Sequence, residues 1–190
     1  MRKVGLAGLL VLMACIGSQA QIDTQHMSAG IGFTHMTGDF GPDGFEGSVA
    51  VHPNRWLSLA GEVSALWSTV RTNDIKVTDR IQNYQAGPRV HFYRAFANPK
   101  WVPFAHLLFG VSHQSTSIQN GPEASDTSYS WSLGGGTDYD FNRKVSGRLK
   151  AEFLRTTFES IGRTRGRFTV GIMYHFGGGI RRGRIPVTTP

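Results

Sequence analysis

The chain has 190 residues, 39% of them hydrophobic, with 24 glycines and a formal net charge of +7. This length suits one domain, and a mean hydropathy of −0.22 gives no sign of apolar membrane-spanning helices. A transmembrane barrel escapes such a scan because only alternate residues face lipid. The basic balance points first to nucleic acid, but it is concentrated at the ends. Without Arg2, Lys3, Arg181, Arg182 and Arg184 the charge falls from +7 to +2, so no nucleic-acid partner is expected.

Residues 1–20 have the form of an export leader. Arg2 and Lys3 make a basic start, residues 4–13 an apolar core, and Ser18-Gln19-Ala20 offers the small residues a signal peptidase reads. Cleavage after Ala20 is expected. A rival reading starts from Leu12-Met13-Ala14-Cys15, which loosely resembles a lipobox and would put a lipid on Cys15; Met13 fits it poorly. Cys15 is the only cysteine, so the mature chain forms no disulfide.

Beyond the leader the chain alternates with period 2, the mark of strands with one apolar and one polar face. The first predicted strand, residues 26–37, sets Ala29, Ile31 and Phe33 against Ser28, Gly30, Gly32 and Thr34. A turn-rich loop, 38–44, leads to a second strand at 45–52. After a tight turn at 53–55 comes the longest alternating run, 56–70, with Leu57, Leu59, Val63, Ala65 and Trp67 on one parity. A polar loop is expected at 71–79. The strand at 81–93 contains Pro88, which removes a ladder donor and predicts a bulge or local break. A turn at 94–100 precedes a strand at 102–113. The longest predicted loop is 114–127, rich in Ser, Thr, Asn, Gly and Pro. Strands at 128–141 and 145–158 flank a short turn at 142–144. A connection at 159–165 leads to the last strand, 167–176, where Phe168, Val170, Ile172, Tyr174 and Phe176 share one parity.

Eight strands and no amphipathic helix result. The turns at 53–55, 94–100 and 142–144 are shorter on average than the loops at 38–44, 71–79, 114–127 and 159–165. Short turns at one end and longer loops at the other is the arrangement of a transmembrane barrel, and runs of roughly 9–11 residues cross a bilayer as tilted strands. The fold expected is all-β, an eight-stranded antiparallel up-and-down transmembrane β-barrel over residues 21–176.

Aromatic residues mark both rims of the apolar parity. Trp67, Tyr129, Trp131 and Phe158 fall near the long-loop ends; Trp56, Trp101, Tyr139 and Phe141 fall near the short-turn ends. Such girdles belong at membrane–water interfaces. The opposite parity carries Glu62, Arg89, His106, Asp138, Arg148, Lys150 and Glu152 in mid-strand. An eight-stranded barrel has an interior just wide enough for side chains to fill, so these residues are expected to form a lumen ion-pair network, with Glu62 and Arg89 as one pair. Arg167 and Glu46 share the inward parity and are expected at the outer mouth.

Thr169-x-Gly171-x-x-Tyr174-x-Phe176 resembles the closing-strand signal of bacterial outer-membrane barrels. Together with the leader and the eight strands, it makes the chain similar to the OmpA-like/OmpX-like small outer-membrane barrel superfamily. The resemblance implies that Thr169, Gly171, Tyr174 and Phe176 serve as an assembly signal for the barrel-assembly machinery, and that the last strand pairs with the first. It implies an outer-membrane location, contact with outer-membrane lipid and lipopolysaccharide, and a monomer. Barrels of this kind often end at the aromatic; here residues 177–190 follow, read as a short disordered periplasmic tail.

Catalytic chemistry is thinly supported. Gly134-Gly135-Gly136 lacks the strand–loop–helix context and following Lys of a phosphate loop; glycines in a barrel strand more simply permit curvature. The seven histidines show no metal-ligand spacing, so neither metal nor cofactor is expected. His113-x-Ser115 resembles the His and Ser of outer-membrane lipid A deacylases, with Glu123 as a conceivable acid, but the local context is otherwise unlike theirs and ordinary Ser/Thr-rich loop entry at 114–117 is the preferred reading. Arg155 falls on the outward parity near the outer end, within reach of interfacial phosphate. The function expected is a structural or surface-interaction role with a side-chain-filled lumen and no wide pore. The rivals are a lipid A-modifying hydrolase and a soluble secreted barrel binding an apolar ligand.

Overall fold

The computed structural model describes residues 27–38, 41–72, 75–93, 95–96, 98–118, 123–158 and 161–176. The leader, Cys15 and the tail at 177–190 lie outside the described residues. The elements are β1 (Met27–Met36), β2 (Asp43–Val51), β3 (Leu57–Thr72), β4 (Ile75–His91), β5 (Trp101–Ile118), β6 (Glu123–Asp140), β7 (Val145–Phe158) and β8 (Ile161–His175). They form one closed barrel in chain order. β1 and β8 close it antiparallel, with Ser28 opposite His175 and Met36 opposite Arg167. Closure leaves no free strand edge among them.

The expected loops at one end are mostly strand. β3 and β4 pair up to Thr72 and Ile75, β5 and β6 up to Ser117 and Glu123, and β7 and β8 up to Phe158 and Ile161. The described residues of the predicted loops 71–79, 114–127 and 159–165 therefore continue the ladders; 73–74, 119–122 and 159–160 lie outside the described residues. These stretches are mostly polar, with isolated apolar residues such as Val77 and Ile118, so the alternation signal fades. Polarity alone does not end a ladder, and β-branched residues such as Thr78 and Thr116 favour the extended backbone.

Three turns at the other end share one device. The Asn54 side-chain oxygen accepts hydrogen bonds from the backbone N–H groups of Trp56 (3.1 Å) and Leu57 (2.8 Å). Asn98 accepts from Lys100 N–H (3.0 Å), and Asn142 from Lys144 (2.8 Å) and Val145 (2.9 Å). Asparagine folding back on the following backbone is what starts such turns. At Pro88 the β4–β5 ladder is interrupted between Ala86↔Phe109 and Arg89↔His106. The register is the same on both sides, so this is a break without a bulge.

Alternation assigns the two faces. Ile31 is 67% exposed and Phe153 65%; Phe33, Leu59, Leu133, Phe168, Val170 and Ile172 also face outward. The inner face holds Ser, Thr, Asn and ionisable residues. Two apolar clusters interrupt it: Met36, Leu66, Ile81 and Leu154 towards the hairpin-tip end, and Ala50, Ala60 and Leu108.

Candidate functional site

The inner face gathers charge from strands all round the barrel. Four acids (Glu46, Glu62, Asp138, Glu152) and four fixed cations (Arg89, Arg148, Lys150, Arg167) are buried there, so the layer is neutral when its histidines are. Register brings two pairs face to face: Glu152 opposite Arg167 and Asp138 opposite Arg148.

Lys150 lies at the centre. Its Nζ donates to Glu46 Oε1 and Glu62 Oε2, both at 2.6 Å, and lies 3.5 Å from Glu152 Oε1. Arg167 donates from Nε to Glu152 and from Nη1 to Ser64 Oγ at 2.9 Å. Its Nη2 lies 3.5 Å from Glu62 and 3.6 Å from Glu46. Arg89 Nη2 donates to Glu62 Oε1 at 2.7 Å, and His106 Nε2 meets Glu152 Oε2 at 2.7 Å. One carboxylate oxygen from each of Glu46, Glu62 and Glu152 lies within 4.8 Å of the others. The Lys150 ammonium supplies the positive charge this triad needs.

On the short-turn side, Arg148 holds Asp138 by two hydrogen bonds of 2.7 and 2.8 Å. The Arg89 and Arg148 guanidinium carbons lie 4.9 and 4.8 Å from the centroid of the Phe104 ring, within cation–π range. Glycine makes room for this packing. A Cβ on Gly136 would come within 2.8 Å of the Phe104 ring edge and 2.1 Å of Leu149 O, and one on Gly134 within 2.3 Å of Glu152 Cβ.

All seven residues read as a lumen network are buried, and they divide into two groups: Glu62, Arg89, His106, Lys150 and Glu152 in one, Asp138 and Arg148 in the other. Glu46 and Arg167 are not at the outer mouth; Arg167 is 1% exposed. β8 begins at Ile161, so Arg167 is six residues down the strand instead of at its start.

At the short-turn rim three hydroxyl–imidazole pairs recur: Ser28–His52 (3.1 Å), Ser58–His91 (3.1 Å) and Ser146–His175 (2.9 Å). Burial, helped by His175, Arg89 and Arg148, pushes the His52 imidazole down to about 4; it is neutral at pH 7.

On the outer face Trp56, Trp67, Tyr129 and Phe141 are exposed, while Trp101, Trp131 and Tyr139 are half-buried. Trp101 packs on Tyr139 at 4.9 Å and Tyr139 on Phe141 at 5.5 Å. Phe158 ends β7, and its side chain lies outside the described residues. In β8, Thr169 and the neighbouring Gly171 position face inward, whereas Tyr174 and Phe176 face outward with rings 5.1 Å apart. Thr169 Oγ1 donates to Thr34 Oγ1 across the seam at 3.0 Å.

His113 Nδ1 is engaged with Thr127 Oγ1 at 2.8 Å, across the β5–β6 ladder. Glu123 pairs with Ser117 in the backbone register; its side chain lies outside the described residues. No nucleophile, base and acid are brought together there among the described residues.

Comparison with known proteins follows this geometry. Residues 6–176 match the family model described as the outer membrane protein beta-barrel domain. No curated protein matches the sequence. Neisserial surface protein A (NspA) has a similar crystal structure, 13% identical with a TM-score of 0.61, covering 80% of this chain and 96% of that one. So does Ail, the attachment invasion locus protein of Yersinia pestis, solved with the heparin analogue sucrose octasulfate: 16% identical, TM-score 0.54, covering 78% and 95%. These identities speak for the fold; the family match covers most of the chain. The chain belongs to the outer membrane protein β-barrel domain family, as a small eight-stranded barrel of the Gram-negative outer membrane.

Proposed function

We propose that the barrel has a structural or surface-interaction role, is not an enzyme, and has a lumen sealed by side chains. One observation carries this: the ionic layer around Lys150 is buried, with Arg89 at 0% and Arg167 at 1% exposure. The Met36, Leu66, Ile81 and Leu154 cluster lies on its outer side. Buried side chains whose opposite charges pair across the lumen support an interior without a continuous water column. In planar bilayers the purified protein is expected to give no large, steady conductance. A stable open level that grows with salt concentration would overturn the sealed reading.

The same reading includes partners. Arg155 and Arg163 are exposed near the hairpin-tip end of β7 and β8, suited to lipopolysaccharide phosphate. Tyr174 and Phe176 present an aromatic end to the closing strand, suited to the barrel-assembly machinery. Residues 1–20 are removed on export, and the closed barrel works as a monomer.

A further inference from the structure

The outward rows of β6 and β7 change size along the barrel. Leu133 stands opposite Phe153, Gly135 opposite Ala151, Thr137 opposite Leu149 and Tyr139 opposite Gly147. Large side chains thus bracket a step of small ones. Gly135 takes no side chain without strain, since a Cβ there would meet Phe104 O at 2.6 Å. The step continues sideways. Pro103 of β5 stands opposite Thr137, and Phe168 and Val170 of β8 stand opposite Ala151 and Leu149. The result is a groove of about 420 Å³ with an almost wholly apolar lining, to which Phe96 of the β4–β5 turn adds a wall. That volume lies within the range of specific ligand pockets.

The rim beyond this groove is basic. Residues 52–56, 98–101 and 140–144 carry Arg55, Lys100, Arg143 and Lys144 against one acid, Asp140. Lys100, Arg143 and Lys144 are exposed, at the short-turn ends of β5, β6 and β7. Pro103 lies three residues from Lys100, and Leu149 five from Lys144. At roughly 3.3 Å per residue, those groove residues stand about 10 to 17 Å along the strands from the cations. Strand tilt shortens that depth, and one leaflet of hydrocarbon is about 15 Å thick. A chain hanging from a headgroup at the rim therefore passes through the groove. Small residues let a neighbour approach closely, and cations at the surface select an anionic head.

We propose that the groove over Gly135 and Ala151 retains one anionic diacyl phospholipid. An acyl chain lies across the small step, and Lys100, Arg143 and Lys144 hold the phosphate. The site rests on the outer face lying in lipid, and it is separate from Arg155 and Arg163 at the opposite end of the barrel. Parity marks its residues only as outward; the groove exists once β5 to β8 are set side by side.

The test uses tag-free full-length barrel refolded in detergent, with folding read by heat-modifiable gel mobility. Palmitoyl-oleoyl phosphatidylglycerol and phosphatidylcholine are added in equal amounts, and retained lipid is counted by native mass spectrometry. Wild type should keep one phosphatidylglycerol, favoured about tenfold over phosphatidylcholine. Ala151→Leu fills the step and should lose that adduct. Gly47→Leu adds the same side chain on β2, where a Cβ meets open space, and should bind as wild type. Lys100→Gln, Arg143→Gln and Lys144→Gln combined should remove the preference for phosphatidylglycerol, and Arg155→Gln should leave it unchanged. A folded wild type without retained lipid overturns the proposal. So does an unchanged adduct in folded Ala151→Leu, or an unchanged preference in the triple variant. A dimer that Ala151→Leu abolishes would seat a second copy in the groove and overturns it as well. A barrel that stays dispersed without detergent would contradict the lipid-facing surface itself, and the proposal with it.

Discussion

Lys150 is one cation among three carboxylates that cannot tolerate one another alone. Its ammonium donates to Glu46 and Glu62 at 2.6 Å. Without it, Arg167 and Arg89 face an excess negative charge in a buried layer. Lys150→Met keeps the volume and removes the charge, and should destabilise the folded barrel by about 3–5 kcal/mol, the usual penalty for an orphaned buried charge. Adding Glu46→Gln restores neutrality and should recover much of that loss. Urea unfolding in lipid vesicles reads both. A loss below about 1 kcal/mol in the single variant would show that water reaches the layer. Glu62→Ala follows the same logic more severely, because Glu62 answers Arg89, Lys150 and Arg167 together.

At the scale of the strand, β8 does two jobs: it supplies Arg167 to the lumen and closes on β1. The seam is tight where Gly32 faces Gly171; a Cβ on Gly171 would lie 2.6 Å from Ile31 O. Gly47 on β2 is the contrast, with open space where its Cβ would be. Gly171→Val should therefore cost about 1–3 kcal/mol and slow the appearance of the heat-modifiable band, since closure joins the most distant segments of the chain. Gly47→Val should change neither. Equal behaviour of the two would mean that seam packing does not limit closure. Alternation made the strands legible wherever one face meets apolar surroundings and the other does not. It failed in the outer hairpins: Gln114 pairs with Asp126 and Ser115 with Ser125, both faces are polar, and nothing in the pattern distinguishes ladder from loop. Parity likewise identified inward residues but not their partners. Lys150 reaches Glu46 across the lumen, a contact set by how far the strands are staggered round the barrel. Arg167 was misplaced in depth for the related reason that β8 starts six residues earlier than its alternation does.

The whole molecule is inverted relative to a barrel in water. Its mid-barrel charges, from Glu46 to Arg167, are inside, and Ile31, Leu59, Phe153, Val170 and Ile172 face outside. Ile31 stands directly opposite Ile172 across the seam, halfway along β1. Trp67 stands opposite Asp43 at the outer start of β2. If this face lies in hydrocarbon, the cost of a charge depends on its depth. Ile31→Lys should destabilise the bilayer-embedded barrel by about 2–4 kcal/mol, and Trp67→Lys by about 0–1 kcal/mol beyond the loss of the ring. The control Trp67→Ala measures that ring loss, including its packing on Phe45 at 5.9 Å. A barrel in water would show the reverse ordering: a lysine at the exposed Ile31 position would be tolerated, and loss of the larger tryptophan contact would dominate. Reversible unfolding in vesicles separates the two. Equal or inverted penalties at Ile31 and Trp67 would contradict a lipid-facing surface, because no other property of the two sites predicts a gradient along the barrel axis.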